Sequence, residues 1–220
     1  MKLLLKLLLI PLPWFLKRRL LSLFFNYRIH PSARIGLSFF FPVQLEMGPE
    51  ARVGHLNVAV NLEKIIMAEK TTIDRWNWIT GYPLRLTNNF QHVRDRKPYL
   101  IMGKDSAITK NHLIDCTDTV TIGELTSIAG YGTQILTHST SLRNNSQDCA
   151  PITIGSRCFV GTRSILLPGT VLPDSSVLGA GSVLNKAFTE PFSLYGGVVA
   201  RFIKKLDPAM AFLTRTERPR

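Results

Sequence analysis

The stretch ITIGSRCFVGTRSILLPGTVLPDSSVLGAGSVL, residues 152–184, repeats with a period of six. Large aliphatic residues occupy every sixth position, namely Ile154, Val160, Leu166, Leu172, Leu178 and Leu184. A small residue stands four positions after each of the first five, namely Cys158, Ser164, Thr170, Ser176 and Ser182. A helix needs a period of 3.6 and a half-buried strand an alternation of two. A fixed six therefore predicts short strands and turns wound into a solenoid, with the aliphatic rows stacked inside.

The same register extends upstream through much of the chain. It is carried by Ile29, Ile35, Phe41, Met47 and Val53, by Met67, Ile73 and Ile79, by Met102, Ile108 and Ile114, and, after a two-residue slip, by Ile122 and Ile128. The solenoid is therefore predicted over residues 29–205. An N-terminal segment, 1–28, precedes it, and a polar tail, 206–220, follows it and is expected to fray.

Two stretches break the period and are predicted to leave the coil as loops, near residues 80–100 and 139–152. The first lies within a wider irregular region, 76–104, where Trp76, Trp78 and Tyr82 could stack on a sugar face or pack under the loop. The second follows Ile128, after which Gln134 and Thr140 stand where aliphatic residues are expected. Because loops on rigid scaffolds often carry function, the histidine at its start, His138, becomes a candidate functional residue.

Composition and charge narrow the class of protein. Hydrophobic residues make up 45 % of the 220-residue chain, which is enough to build a core. The net charge of +12 is concentrated at the two ends, where residues 1–30 hold six Lys or Arg and no acid. No stacking nucleic-acid module accompanies this charge, so nucleic acid is not an expected partner. The three cysteines have no paired spacing, which favours a reducing compartment over a disulfide framework.

The N-terminus, MKLLLKLLLIPLPWFLKRRLLSLFFNYR, combines basic and apolar residues but is too interrupted to span a bilayer. It predicts one or two short amphipathic helices that contact a membrane surface. The residues expected to contact lipid phosphates are Lys2, Lys6, Lys17, Arg18 and Arg19. The residues expected to enter the apolar part of the interface are Trp14, Phe15, Leu20, Phe24 and Phe25. The alternative is that these helices pack on the body of the protein or on a neighbouring subunit.

The repeats, together with IDCTDTVTIGELTSIAGYGTQILTHS at residues 114–139, resemble the hexapeptide-repeat acyltransferases, in particular the branch of the colanic-acid and maltose acetyltransferases. The resemblance implies an all-β fold, a left-handed parallel β-helix. It also implies a homotrimer with active sites between subunits. The expected activity is transfer of an acetyl group from acetyl-CoA to a sugar hydroxyl during synthesis of a cell-surface polysaccharide, at the cytoplasmic side and without a metal.

The resemblance also implies roles for particular residues. His138 matches the family's general base, and an imidazole that titrates near neutral pH can take a proton from an attacking hydroxyl. The positions that match coenzyme contacts are Thr162, Ala180, Asn185, Lys186, Arg201 and Lys204. Gly155 and Gly161 are corner glycines whose N–H groups could serve the acyl oxygen. His112 could help to shape the acceptor pocket, and Cys158, in the inward row, is not expected to act as a nucleophile.

Three other classes of protein remain as alternatives. A γ-class carbonic anhydrase shares the solenoid but needs closely spaced histidines, which this sequence lacks. A nucleotidyltransferase would need a phosphate-binding domain before the repeats. A non-catalytic β-helix trimer that binds a glycan or a membrane would keep the loops and the N-terminus while making His138 dispensable.

Overall fold

The computed structural model describes residues 2–86 and 88–218, with side chains from residue 4 onward. Two N-terminal helices lead into the coil, and a short third helix follows it: α1 (Lys2–Leu9), α2 (Trp14–Phe25) and α3 (Ala211–Thr214). The first three coils contain β1 (Arg28–Ile29), β2 (Arg34–Ile35), β3 (Phe39–Phe40), β4 (Gln44–Met47), β5 (Arg52–Val53), β6 (Val58–Ala59), β7 (Lys64–Met67), β8 (Thr72–Ile73) and β9 (Trp78–Thr80).

The chain then leaves the coil after β9, in a loop that contains residues 81–86 and 88–98, and returns for two more turns. These contain β10 (Tyr99–Met102), β11 (Ala107–Ile108), β12 (Leu113–Asp115), β13 (Val120–Ile122), β14 (Ser127–Ile128) and β15 (Gln134–Leu136). An antiparallel hairpin of β16 (His138–Ser141) and β17 (Ser146–Cys149) follows at once. The remaining strands are β18 (Ile152–Ile154), β19 (Phe159–Val160), β20 (Ile165–Leu166), β21 (Val171–Leu172), β22 (Val177–Leu178), β23 (Val183–Leu184), β24 (Ser193–Gly196) and β25 (Arg201–Lys205).

Each coil gives one strand to each of three parallel sheets. Sheet A runs β1-β4-β7-β10-β13-β18-β21, sheet B runs β2-β5-β8-β11-β14-β19-β22-β24-β25, and sheet C runs β3-β6-β9-β12-β15-β20-β23. The strands pair in register, so that Ile154 lies beside Leu172 and Val160 beside Leu178. The architecture is a left-handed parallel β-helix with short helices, which confirms the predicted fold class.

The hexad positions form the core, as predicted. Leu166, Leu172, Leu178 and Leu184 have no exposed surface, and the small row from Cys158 to Ser182 is at most 1 % exposed. Ser164 shows how a small polar residue fits at a corner, because its hydroxyl donates to the carbonyl of Gly161 at 2.9 Å. Burial raises the pKa of Cys158 to about 12, which keeps the thiol protonated and agrees with the expectation that it is not a nucleophile.

The coil continues through Gln134, although the aliphatic period of six is lost there. Ile135 fills the core position with no exposed surface, one residue later than the period of six requires. The preceding corner, residues 129–133, is one residue longer and contains two glycines of positive φ, Gly130 at 70° and Gly132 at 74°. The coil therefore completes β15, and the chain leaves it only at His138.

The N-terminal helices pack on the first coils with part of the face that was expected to meet lipid. Lys17 is 2 % exposed and donates to the Gly36 carbonyl at 2.9 Å, and burial lowers its pKa to about 8. Trp14, Leu20 and Phe25 pack against the core. The assignment of Lys17 and of these three residues to a lipid-facing surface is therefore wrong, because they cover the otherwise open N-terminal end of the solenoid. The Lys2 side chain lies outside the described residues.

Phe15 and Phe24 remain on the surface, with 68 % and 57 % of their area exposed. Leu4, Leu8 and Leu23 are exposed beside them, by 64 %, 61 % and 75 %. Within the described residues, none of the helices has both the length and the hydropathy needed to cross a bilayer.

The C-terminal tail is attached to the solenoid as far as residue 218, where a frayed end was expected. Phe212 packs edge-on against Phe159 of sheet B, with ring centroids 5.7 Å apart. The Arg215 guanidinium donates to the Leu125 carbonyl, and Arg218 donates to the Thr72 hydroxyl at 3.0 Å. These contacts join the tail to three separate coils, which explains why a polar sequence is ordered there.

Candidate active site

His138 begins the hairpin at the point where the chain leaves sheet C. Its side chain is 43 % exposed, so a ligand can reach the imidazole from solvent. Its backbone neighbour Thr137 is fully buried, and the Thr137 carbonyl accepts from the Ala150 amide where the chain returns. The imidazole is thus held at the rim of a rigid coil.

Asp115 is the partner of His138, and the sequence interpretation missed it. The His138 Nδ1 atom lies 2.7 Å from Asp115 Oδ2, and the carboxylate side chain is only 6 % exposed. The Thr117 hydroxyl donates to Asp115 Oδ1 at 2.7 Å, and the Thr137 amide donates to Oδ2 at 3.0 Å. The signal in the sequence was the two-residue slip between Ile114 and Ile122, since Asp115 and Thr117 lie within it.

The protonation of the pair follows from these hydrogen bonds. Burial alone would raise the pKa of Asp115, but the hydrogen bonds from His138 and Thr117 outweigh it and hold the pKa below its ordinary value. The ionised carboxylate is an acceptor, so Nδ1 of His138 carries the proton and Nε2 is the basic nitrogen. The hydrogen bond to Asp115 raises the pKa of His138 against the opposing effect of its partial burial.

The loop of residues 81–98 packs against the imidazole. The Phe90 ring is perpendicular to the His138 ring, with 6.2 Å between centroids. Arg96 is 6 % exposed and holds the loop in place, because its guanidinium donates to the carbonyls of Tyr82 at 2.5 Å and Thr117 at 3.2 Å. The same guanidinium lies 5.1 Å from the Phe90 centroid. Arg96 therefore links the loop to the corner that carries Asp115.

The other candidates for the acceptor region lie elsewhere. His112 is 2 % exposed, accepts from the Thr133 amide through Nδ1 at 3.1 Å, and contacts the Thr109 hydroxyl through Nε2 at 3.0 Å. Burial lowers the pKa of His112 to about 4, so the ring is neutral at neutral pH and joins two coils. Trp76 and Trp78 are 60 % and 53 % exposed, so they are not packed under the loop.

The predicted coenzyme residues fall into two groups at opposite ends of the sheet C strands. Thr162 and Ala180 precede β20 and β23, and the backbone of Ala180 directly adjoins Gly161 in the coil before. Arg201 lies at the same end as Thr162 and Ala180. It pairs with Gly196, and the carbonyl of the next residue, Gly197, accepts from the amide of Val183 at the start of β23. Lys204 pairs with Leu194, further along sheet B.

Asn185 and Lys186 follow β23, at the same end of sheet C as His138. Ala180, Asn185, Lys186, Arg201 and Lys204 are all exposed. A strand of three residues is about 10 Å long, so an extended ligand would be needed to reach both groups. Coenzyme A, a long molecule that carries phosphates, fits this arrangement, since small side chains and Arg201 lie at one end and Lys186 at the other.

Two details of the predicted coenzyme site need correction or addition. The amides of Gly155 and Gly161 donate to the Leu172 and Leu178 carbonyls, each at 2.8 Å, so these N–H groups are not available for an acyl oxygen. The Thr162 hydroxyl donates to the Tyr131 carbonyl at 2.7 Å and therefore already holds the turn of the preceding coil. In the part of the chain that the structure describes, no group of three or more His, Cys, Asp or Glu is placed to hold a metal ion.

Comparisons with known proteins point to the same class. A family model described as the hexapeptide repeat of succinyl-transferase matches residues 151–186. A galactoside O-acetyltransferase of Escherichia coli (strain K12) is 34 % identical over 93 residues, which cover 40 % of this chain and 45 % of the relative. A probable macrolide acetyltransferase of Lysinibacillus sphaericus is 35 % identical over 66 residues, which cover 29 % of this chain and 36 % of the relative. The chain thus spans less than half the length of either relative.

The fold comparison covers much more of the chain. The crystal structure of the polysialic acid O-acetyltransferase OatWY superimposes with a TM-score of 0.58 at 16 % identity, over 81 % of this chain and 84 % of that one. At this identity the likeness concerns the fold. Taken with the sequence matches, it shows that the chain is similar to the hexapeptide-repeat acetyltransferases, the class that the resemblance indicated.

Proposed function

We propose that the protein is an acetyl-CoA-dependent O-acetyltransferase that acetylates a sugar hydroxyl, with His138 as the general base. The observation that carries this proposal is the His138–Asp115 pair. A half-exposed imidazole bonded through Nδ1 to a buried carboxylate would use its other nitrogen, Nε2, to take the proton of the acceptor hydroxyl. The acetyltransferase names of the sequence relatives support the reaction class.

The chemistry asks little more of the chain than a base and a binding surface. Acetyl-CoA, when bound, supplies an acetyl group already activated as a thioester. His138 Nε2 takes the proton of the acceptor hydroxyl as the hydroxyl oxygen forms its bond to the acetyl carbon, and the thiolate leaves and takes up a proton. Asp115 holds the ring orientation and stabilises the imidazolium that forms. No covalent intermediate on the protein is needed, so transfer proceeds in a ternary complex.

The coenzyme would lie along the last coils. Thr162 and Ala180 would contact the pantetheine arm, while Lys186, Arg201 and Lys204 would neutralise phosphates. Asn185 follows the last strand of sheet C and would contact the end of the arm nearer His138. All of these positions except Thr162 are exposed, which fits residues that contact a ligand rather than support the fold.

The test is release of thiol from acetyl-CoA by purified full-length protein with a panel of sugars and glycan extracts, for wild type and His138→Ala. We expect acceptor-dependent release that falls by about 10²- to 10⁴-fold in the variant. Equal release from both proteins would remove His138 from the mechanism. Absence of release together with absence of coenzyme A binding would favour a non-catalytic β-helix that binds a glycan or membrane.

We further propose that the chain forms a homotrimer. Its support is a column of apolar side chains on the outer face of sheet C, where Val58, Trp78 and Leu113 lie side by side in register. Trp78 and Leu113 are 53 % and 38 % exposed, more than an isolated coil would be expected to leave in water. Light scattering on wild type and Trp78→Glu tests this, with a monomeric wild type as the contradicting result.

Peripheral contact with the inner face of the membrane is also part of the proposal. The exposed Phe15, Leu23 and Phe24 support it, since they lie on a helix that also carries Arg18 and Arg19. Cosedimentation with vesicles of neutral and anionic lipid, for wild type and Phe15→Glu, provides the test. Leu142→Glu is a matched control, because Leu142 is 93 % exposed but lies on the hairpin. If Phe15→Glu binds anionic vesicles as wild type does, the helices are not the membrane contact.

A further inference from the structure

The two excursions from the coil meet beside His138 and enclose a cleft. One wall is the loop of residues 88–92, and the other is the hairpin of β16 and β17. His92 Nε2 lies 3.6 Å from Asp148 Oδ1, which links the two walls. Phe90 lines the cleft, and its ring centroid lies 6.2 Å from that of His138, so the cleft is one side chain away from the proposed base.

The lining of this cleft is rich in side-chain amides. The cleft has a volume of about 400 Å³, within the usual range for small-molecule sites. Its carboxamide side chains are Asn88, Asn89, Gln91, Asn145 and Gln147, and Thr140 adds a hydroxyl. Among the described residues that line it, none is Lys, Arg, Asp or Glu. Gln147 Nε2 donates to Thr140 Oγ1 at 3.1 Å, which orients one amide of the wall.

This composition is specific to the cleft and is not a general property of the surface. The groove on sheet B beneath the C-terminal tail, by contrast, is lined by Glu50, Arg52, Lys70, Asp105, Glu217 and Arg218. A carboxamide both donates and accepts hydrogen bonds, as a sugar hydroxyl does. A charged ligand in the amide cleft would lose water without gaining an opposite charge, which is unfavourable. The lining therefore selects an uncharged ligand with many hydroxyl groups.

We propose that this cleft binds an uncharged sugar ring of the acceptor and that Asn89 and Gln147, one from each wall, determine acceptor specificity. This inference rests on the proposed acetyl transfer, because it assigns the acceptor of that same site. Each wall supplies amides to one ring, and the walls approach each other where His92 faces Asp148. Specificity thus resides in the two excursions, while the coil itself supplies the base.

The experiment measures binding of the full-length protein to a glycan array that carries neutral and acidic saccharides, alongside coenzyme A binding and acceptor kinetics. The variants are Gln147→Glu and Asn89→Asp, which keep the shape of each side chain and add a negative charge. Asn26→Asp is the control, since Asn26 is an exposed asparagine that follows α2 and does not line the cleft. We expect neutral glycans to bind, and both variants to weaken binding and raise the acceptor KM by about 10-fold or more without changing coenzyme A affinity.

Other outcomes overturn the inference. Binding of acidic glycans alone, absence of binding to any glycan, or equal binding by wild type and both variants would each exclude an amide-lined site for a neutral sugar. Failure of the proposed function is seen separately. In that case coenzyme A binding and His138-dependent thiol release are both absent, whereas failure of the cleft alone leaves both intact.

Discussion

Residues 152–184 and residues 113–149 are neighbouring parts of one solenoid with aliphatic residues inside, yet only the second also buries acidic side chains. The first stretch buries aliphatic and small residues at a strict period of six and has only short corners. The second buries Asp115, Thr117 and Thr137, has a longer corner before β15 and leaves the coil in a hairpin after it. The regular stretch provides a rigid frame, and the irregular stretch uses that rigidity to hold polar groups that would otherwise be costly to bury.

Leu172→Ala should have the largest effect on the regular stretch. Leu172, on β21, is fully buried beside Ile154 of β18. Loss of its side chain should therefore lower the free energy of unfolding by about 2–5 kcal/mol. Chemical denaturation measures this. Val171→Ala, at the outward position of the same strand, is the control and should cost much less. Comparable losses in the two variants would show that the row does not carry the core.

Asp115→Asn, in the irregular stretch, should reduce the rate of acetyl transfer. The amide would donate to His138 and favour the wrong tautomer, so acetyl transfer should fall by about 10²-fold while coenzyme A affinity is retained. Steady-state kinetics gives the measurement. Asp174→Asn is a matched control, because that carboxylate bonds the Ser156 amide in a regular coil. Full activity in Asp115→Asn would mean that the pair is only structural.

Two glycines allow a corner of the irregular stretch to be compared with a corner of the regular stretch. Gly130 and Gly181 both have positive φ, at 70° and 68°. A Cβ on Gly130 would lie 2.6 Å from Thr162 Cβ, whereas one on Gly181 would meet nothing within 4 Å. Gly181→Ala should therefore cost about 1 kcal/mol in backbone strain, and Gly130→Ala should cost more. Thermal denaturation of both variants measures these costs. A smaller loss of stability in Gly130→Ala than in Gly181→Ala would contradict the close approach of Thr162 to Gly130.

The smallest expected effect is a change in pH dependence. Because Asp115 raises the pKa of His138, wild-type activity should fall on acidification at a higher pH than an unpaired histidine would give. In Asp115→Asn that fall should move to lower pH. The same pair should stabilise the fold at pH values below the unfolded pKa of the histidine, and this contribution is lost as pH rises through the folded value. NMR titration of His138 would reveal the shift, and identical titration in both proteins would contradict it.

Much of the fold could be predicted because the repeat is local. Each hexad contains its own aliphatic, corner and small positions, so Ile154 to Leu184 could be assigned to the core without knowing which coils touch. Where a corner changes length, the period of six no longer predicts which residue is buried. The period of six points to Gln134 instead of Ile135, because nothing in the local pattern shows that two glycines lengthen the corner before it.

The sequence by itself determined the solenoid, the strand positions of the regular coils and the prominence of His138, since these depend on spacing along the chain. Only the tertiary structure decided what surrounds that histidine. Asp115 lies 23 residues earlier and Phe90 belongs to a separate loop, and winding of the coil is what brings both to the imidazole. The N-terminal helices teach the same lesson, because Lys17 has the pattern of a surface cation until the open end of the coil gives it a carbonyl to bind. Periodicity indicates which side chains face inward. Contacts between residues distant in sequence set the pKa and the orientation of His138 and form the cleft on which the proposed chemistry depends.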